Sequence, residues 1–154
     1  MPNPIFLYPG EIFVNGQALD VITILGSCVA VCLWDPLAKV GGVNHYLLPL
    51  WNSKGIPSPR YGNIAIPKLI QNLLEIGAIK KRLEAKVFGG GSVMGSDKNQ
   101  YNVASRNIVL AQSMLNNANI PIIAASVGQK FSRKILFNTA TGKIKLRKSE
   151  GREL

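Results

Sequence analysis

Two short apolar runs meet at Asp35-Pro36, and their pairing constrains this chain more than any other feature of it. The first, Cys28 to Trp34, is rich in valine and bounded by Gly26-Ser27 and Asp35-Pro36. The second, Val40 to Leu48, ends at Pro49. Such runs between turn residues read as strands, and the short turn joins them as an antiparallel hairpin. Ile12 to Ile24 adds strand-like segments broken at the turn pair Asn15-Gly16. Leu83 to Phe88, Ile120 to Ser126, Lys134 to Asn138 and Lys143 to Arg147 read as further strands, the last two joined at Thr141-Gly142.

Two windows have helical spacing instead. Tyr61 to Ile76 carries Ile66, Leu69, Ile70, Leu73 and Leu74 on one stripe, with Gly77 placed to end it. Asn102 to Ala118 carries Val103, Ile108, Leu110, Ala111, Met114 and Leu115. Leu50 to Pro59 is a loop. Many strands with two helices predict an α+β layered domain. The 154 residues suffice for one domain with its own core.

Hydrophobic residues make up 47% and charged residues 17%, with a mean hydropathy of +0.15. That excludes a disordered, solvating chain. No apolar run approaches the ~20 residues of a membrane span. Met1 to Tyr8 lacks a basic start and contains Pro2 and Pro4, unlike a secretory signal. The expected compartment is the cytoplasm, with no membrane insertion.

Lys and Arg number 18 against 8 Asp and Glu, a net charge of +10. That balance suits an acidic partner. One group is Lys80, Lys81, Arg82 and Lys86. Another is Lys130, Arg133, Lys134, Lys143, Lys145, Arg147, Lys148 and Arg152. A helix end and a solvated basic tail, the latter over about residues 143–154, explain the two groups equally well. The chain lacks the interleaved aromatics of a single-strand groove and any helix-turn-helix signature, so nucleic acid is not the expected partner.

Cys28 and Cys32 lie roughly 13 Å apart if both sit on one strand. A disulfide needs Cα atoms within about 7 Å, so both are expected as free thiols. One histidine and no second Cys/His cluster argue against a structural zinc site. Gly89-Gly90-Gly91 is not followed by the Lys-Ser/Thr of a phosphate loop. It reads as a strand-end turn or a wall of a site.

If the hairpin loop runs from Trp34 to Lys39, Leu33 faces Val40 and Cys28 falls opposite His45. Opposed residues share a face, with Cβ atoms about 5 Å apart. A slip of one residue separates them. A thiol beside an imidazole is the apparatus of nucleophilic catalysis: the thiolate attacks and the histidine carries the proton. Paired with an imidazolium, the thiol titrates below its usual ~8.5. Gly26 and Ser27 make a tight turn whose amides could stabilise an oxyanion, or which Ser27 simply shapes. The plainer alternative is a buried small Cys28 and a satisfied core His45. Cys32 reads as a packed structural thiol. Trp51 reads as a wall of the substrate entrance or as ordinary packing.

The run Thr23-Ile24-Leu25-Gly26-Ser27-Cys28-Val29-Ala30-Val31-Cys32-Leu33-Trp34-Asp35-Pro36 resembles the signature of the CheD family, the chemoreceptor glutamine deamidases. So does Gly41-Gly42-Val43-Asn44-His45-Tyr46-Leu47-Leu48-Pro49. Pro9-Gly10-Glu11, Arg60-Tyr61-Gly62, Leu83 to Gly90, Arg106-Asn107 and Thr141-Gly142 follow in the family's order. The resemblance implies hydrolysis of glutamine side-chain amides in methyl-accepting chemotaxis receptors, by a monomer that needs no cofactor. It implies Cys28 as nucleophile, His45 as base and, on the preceding strand, Thr23 as third member. It also implies a layered α/β sandwich of mixed, largely antiparallel sheets similar to deamidating toxins, and a CheC-like phosphatase as partner in some bacteria. A non-catalytic adaptor for receptors or such a phosphatase is the alternative; retention of Cys28 and His45 argues against it. Two departures touch recognition more than chemistry: Ala104 stands where a glycine is common, and Gln129 to Ser132 fits the family's pattern poorly.

Overall fold

Residues 3–92 and 98–150 are described in a computed structural model of the chain. The strands are β1 (Ile5–Phe6), β2 (Ile12–Asn15), β3 (Asp20–Leu25), β4 (Val29–Asp35), β5 (Val40–Asn44), β6 (Glu84–Gly89), β7 (Ile122–Val127), β8 (Phe131–Asn138) and β9 (Ile144–Glu150). The helices are α1 (Gly62–Glu75) and α2 (Lys98–Asn117). One sheet has five strands in the order β2-β5-β4-β6-β7, the other four in the order β1-β3-β8-β9. Five of the seven strand pairings are antiparallel; β1-β3 and β6-β7 are parallel. The expected α+β architecture is present. No helix among the described residues is long and apolar enough to cross a membrane.

The alternation along β4 explains the layering. Val29, Val31 and Leu33 face Ile66, Leu69 and Leu73 of α1 and Ala111 and Leu115 of α2. Ala30 and Cys32 face the other way, toward Val21 and Leu25 of β3 and Ile135 and Phe137 of β8. The five-stranded sheet is thus covered on both faces, and β4 reads as a nearly continuous apolar run for that reason. Gly42 of β5 leaves room where helix and sheet meet: a Cβ there would lie 2.9 Å from Leu69. Strands on either side of Asn15-Gly16 join different sheets, so that turn carries the chain between layers.

The β4-β5 register departs from the expected one. Asp35 pairs with Val40 and Cys32 with Val43, so the loop is only Pro36 to Lys39. The cause is Asp35 itself. Its Oδ1 accepts from the N–H groups of Leu37 and Ala38, and its carbonyl from that of Lys39. This aspartate turn keeps Trp34 and Asp35 in the strand. Ala30 therefore stands opposite His45, with Cys28 two residues further along. The shift is even, so Cys28 and His45 still share a face.

Asp35 is fully buried and ionised. Burial opposes its charge, but the Arg82 guanidinium and three backbone N–H groups outweigh burial and hold its carboxyl at about 2. Arg82 Nη2 lies 2.9 Å from Oδ2, and the Ile79 N–H donates to the same oxygen. Two members of the first basic group are thus structural: Arg82 anchors this turn, and Lys86 Nζ donates to the Gly142 carbonyl. Asp35→Ala is expected to lower unfolding free energy by roughly 2–4 kcal/mol, somewhat less than for a fully enclosed pair because Arg82 is about a third exposed. Urea denaturation measures it; a loss under about 1 kcal/mol would place Asp35 among ordinary turn residues.

Candidate active site

A short buried hydrogen bond joins the two sheets near Cys28. Thr23, on the inner face of β3, and His45, just past β5, meet with Oγ1 and Nδ1 2.7 Å apart. The threonine hydroxyl donates its single proton to the Leu7 carbonyl at 2.8 Å. Its oxygen therefore accepts from the ring, so Nδ1 carries the hydrogen and Nε2 has a free lone pair. His45 is 2% exposed. Its backbone is held on both sides: His45 N–H donates to Glu11, and Gly10 N–H donates to His45.

Nε2 is buried and has no hydrogen-bond partner among the described residues. Cys28 lies on the same face, half-buried, packed against the inter-sheet core. Its thiol does not hydrogen bond to Nε2 here. Burial raises the Cys28 thiol, with its own backbone N–H partly offsetting. Burial lowers His45 to about 4. This corrects the expected thiolate–imidazolium pair: at neutral pH the resting groups are a thiol and a neutral imidazole. Such an imidazole can accept a proton only at Nε2. Cys32 is fully buried and its thiol is pushed up by burial, as a packed thiol is.

Every carbonyl of the Gly26-Ser27-Cys28 loop is tied down. Gly91 N–H donates to Gly26, Gly90 N–H to Cys28, and Asn107 Nδ2 to Ser27. The Gly90 and Gly91 amides are thereby occupied and are not free to cradle a phosphate. Gly89 has φ +112, and a Cβ there would collide with the Cys28 carbonyl. The glycine triplet is the wall against which the loop rests. Among the described residues, the Ser27 and Cys28 amides donate to no other backbone carbonyl.

Two residues in this arrangement had no role in the sequence reading. Asn107 of α2 is fully buried; its Nδ2 donates to Ser27 and to Leu47, bracing the loop before Cys28 and the one after His45 with a single amide. Its carbonyl accepts from the Tyr46 hydroxyl at 2.6 Å. A polar residue four positions after Val103 and four before Ala111, inside an apolar stripe, was the available signal. Arg133, counted above as surface charge, is 1% exposed. Its guanidinium donates to Ser126 Oγ and to the carbonyls of Gly89, Phe131 and Gly128, pinning the glycine turn from behind. Ala104 and Gln129, the departures noted above, line a cavity of about 350 Å³ on the far side of Gly90. Trp51 is braced by Asn63 of α1, whose Oδ1 accepts from its backbone N–H, and by the Lys54 carbonyl within its own loop, which accepts from its indole N–H. Among the described residues, no three His, Cys, Asp or Glu side chains gather to hold a metal ion.

The buried imidazole makes a measurable demand. A histidine depressed from 6.5 to about 4 on folding stabilises the protein above pH 6.5. That stability is lost as pH falls to about 4, by up to about 3 kcal/mol. Asp35 contributes its own loss only below 3.8. Denaturation between pH 7 and 4.5 should therefore show declining stability in the native protein and little decline in His45→Gln. Equal slopes would mean that His45 titrates as if exposed.

The chain matches the family described as CheD chemotactic sensory transduction over residues 47–148. It is 44% identical over 141 residues to a protein of Trichlorobacter lovleyi named probable chemoreceptor glutamine deamidase CheD, covering 92% of this chain and 88% of that one. A protein of the same name from Sulfurimonas denitrificans is 40% identical, covering 92% of each chain. One from Anaeromyxobacter dehalogenans, named probable chemoreceptor glutamine deamidase CheD 1, is 42% identical over 90% of this chain and 80% of its own. The first match leaves only about a dozen residues uncovered, too few to omit Cys28 or His45.

Proposed function

The chain belongs to the CheD family, and from that premise we propose that it hydrolyses the side-chain amide of selected glutamines in chemotaxis receptors. The observation that carries the reading is the Thr23–His45 hydrogen bond, which leaves Nε2 as the base on the face that holds Cys28. The Cys28 sulfur attacks the amide carbon as its proton passes to Nε2. The carbonyl electrons move to oxygen, where the Ser27 and Cys28 amides, braced from their carbonyl side, stabilise the charge. His45 then gives the proton to the departing nitrogen, and ammonia leaves a thioester. Water, deprotonated by the same Nε2, attacks the thioester. Glutamate forms, and the sulfur takes back its proton.

Thr23 acts through His45 and is a positioning residue. It selects the tautomer and holds the ring, as a carboxylate does in other triads. A threonine holds the ring without lending it negative charge, which suits an imidazole that must stay neutral until attack. On this reading residues 1–154 form one deamidase domain, a cytoplasmic monomer of the same layered kind as the deamidating toxins. Its protein substrates are the receptors, and a CheC-like phosphatase is a further partner.

Cys28→Ala should abolish the glutamine-to-glutamate mass gain in a receptor fragment while keeping the native circular dichroism, and Cys32→Ala should retain activity. Equal loss in both folded variants would remove Cys28 from the nucleophile's place. Thr23→Val should lower kcat by roughly 10–100-fold with KM little changed, and Thr23→Ser should recover much of it. An unchanged kcat in Thr23→Val would show that the tautomer is set elsewhere.

A further inference from the structure

We propose that the uncovered face of the four-stranded sheet docks an acidic, amphipathic helix of the protein substrate. This rests on the deamidase reading and adds to it a surface outside the site. The helices cover the outer face of the five-stranded sheet, and no described element covers the outer face of the other.

Alternation decides which side chains lie there. Val21, Leu25, Ile135 and Phe137 point into the core, so their neighbours point out. One outward row runs Phe6, Ile22, Leu136, Lys145 and the next runs Ile24, Lys134, Arg147. Phe6 is 42% exposed and Ile24 52%, and the exposed Tyr8 ring lies 4.8 Å from that of Phe6. The face therefore has an apolar half on β1 and β3 and a basic half on β8 and β9. Lys148 does not belong to it: it pairs with Arg133 on the other side, with Nζ 5.5 Å from the Phe131 ring. The acid on β3, Asp20, sits at the far end, where Asn138 donates to it.

This pattern states the chemistry of its occupant. An extended peptide would add to a sheet edge, whereas a sheet face is completed by a helix or another sheet. The apolar half takes the apolar stripe of a helix, and the three cations take carboxylates along its flank. Position supports a substrate over an unrelated partner. Ile24 lies one residue before Leu25, from which the chain runs through Gly26-Ser27 to Cys28. Tyr8 lies two residues before Gly10, whose N–H holds the His45 carbonyl. A helix on this face has one end at the rim of the site.

The test combines Lys134→Glu, Lys145→Glu and Arg147→Glu. It compares deamidation of a chemoreceptor cytoplasmic fragment with that of a short uncharged glutamine peptide. The expected result is a loss of about tenfold or more in kcat/KM on the fragment, with kcat and the peptide reaction unchanged. In the native protein kcat/KM on the fragment should fall as salt rises, and the reversal should flatten that dependence. Ile24→Asp, on the apolar half, should weaken the fragment reaction alone. If the triple variant fails to fold, the exposed single change Arg147→Glu carries the same test. An unchanged kcat/KM on the fragment in both the charge and the Ile24 variants would overturn the proposal. Should the native protein not deamidate the fragment at all, the functional reading falls. Docking is then decided separately by the affinity of Cys28→Ala protein for the fragment, with and without the reversal. Reversal that abolishes oligonucleotide binding and leaves fragment binding intact would assign the face to nucleic acid and overturn the proposal.

Discussion

The hydrogen bond between Thr23 and His45 is the interaction on which the rest of the arrangement depends. It crosses from one sheet to the other inside a layer otherwise filled by Val21, Leu25, Ala30, Cys32, Val43 and Phe137. In that layer an imidazolium is strongly disfavoured, and the ring stays neutral well below neutral pH. A neutral ring has two tautomers, and the threonine, with its own proton committed to Leu7, accepts only from Nδ1. The lone pair is left at Nε2. Each element of the fold that aligns β3 against β5 serves this contact.

The loop that holds Cys28 is fixed by different means. Among the described residues it has no side-chain anchor of its own; its three carbonyls are gripped by Gly90, Gly91 and Asn107. Arg133 grips the glycine turn in return through carbonyls of Gly89 and Gly128. A buried guanidinium held by several carbonyls is costly to desolvate and rigid once formed. The result is a nucleophile loop whose peptide planes are set before any substrate arrives, beside a base whose orientation is set independently.

Much of this was legible in the chain. The hairpin followed from two short apolar runs and the Asp35-Pro36 turn between them, and the shared face of Cys28 and His45 followed from the hairpin. The register was off by two because Asp35 folds its carboxylate over Leu37 and Ala38, a local chemistry that run lengths do not report. Thr23 entered only through resemblance, since nothing in Asp20 to Leu25 tells which sheet that strand joins; its partner β8 lies more than a hundred residues away. For the same reason Arg82, Lys86 and Arg133 were counted as free charge, although their partners are Asp35, the Gly142 carbonyl and the glycine turn. Asn107 was visible as a polar residue on an apolar stripe, but its purpose needed the two loops that it bridges.

The central claim is that His45 is neutral, protonated on Nδ1 and bare on Nε2, at the pH where the protein works. With one histidine in the chain, nitrogen-15 NMR of the labelled ring measures it without ambiguity. At pH 7 the account predicts a pyrrole-type resonance at Nδ1 and a pyridine-type resonance at Nε2, with no titration until the pH approaches 4. Thr23→Val should blur that distinction. A proton on Nε2, or an imidazolium at pH 7, would contradict the account.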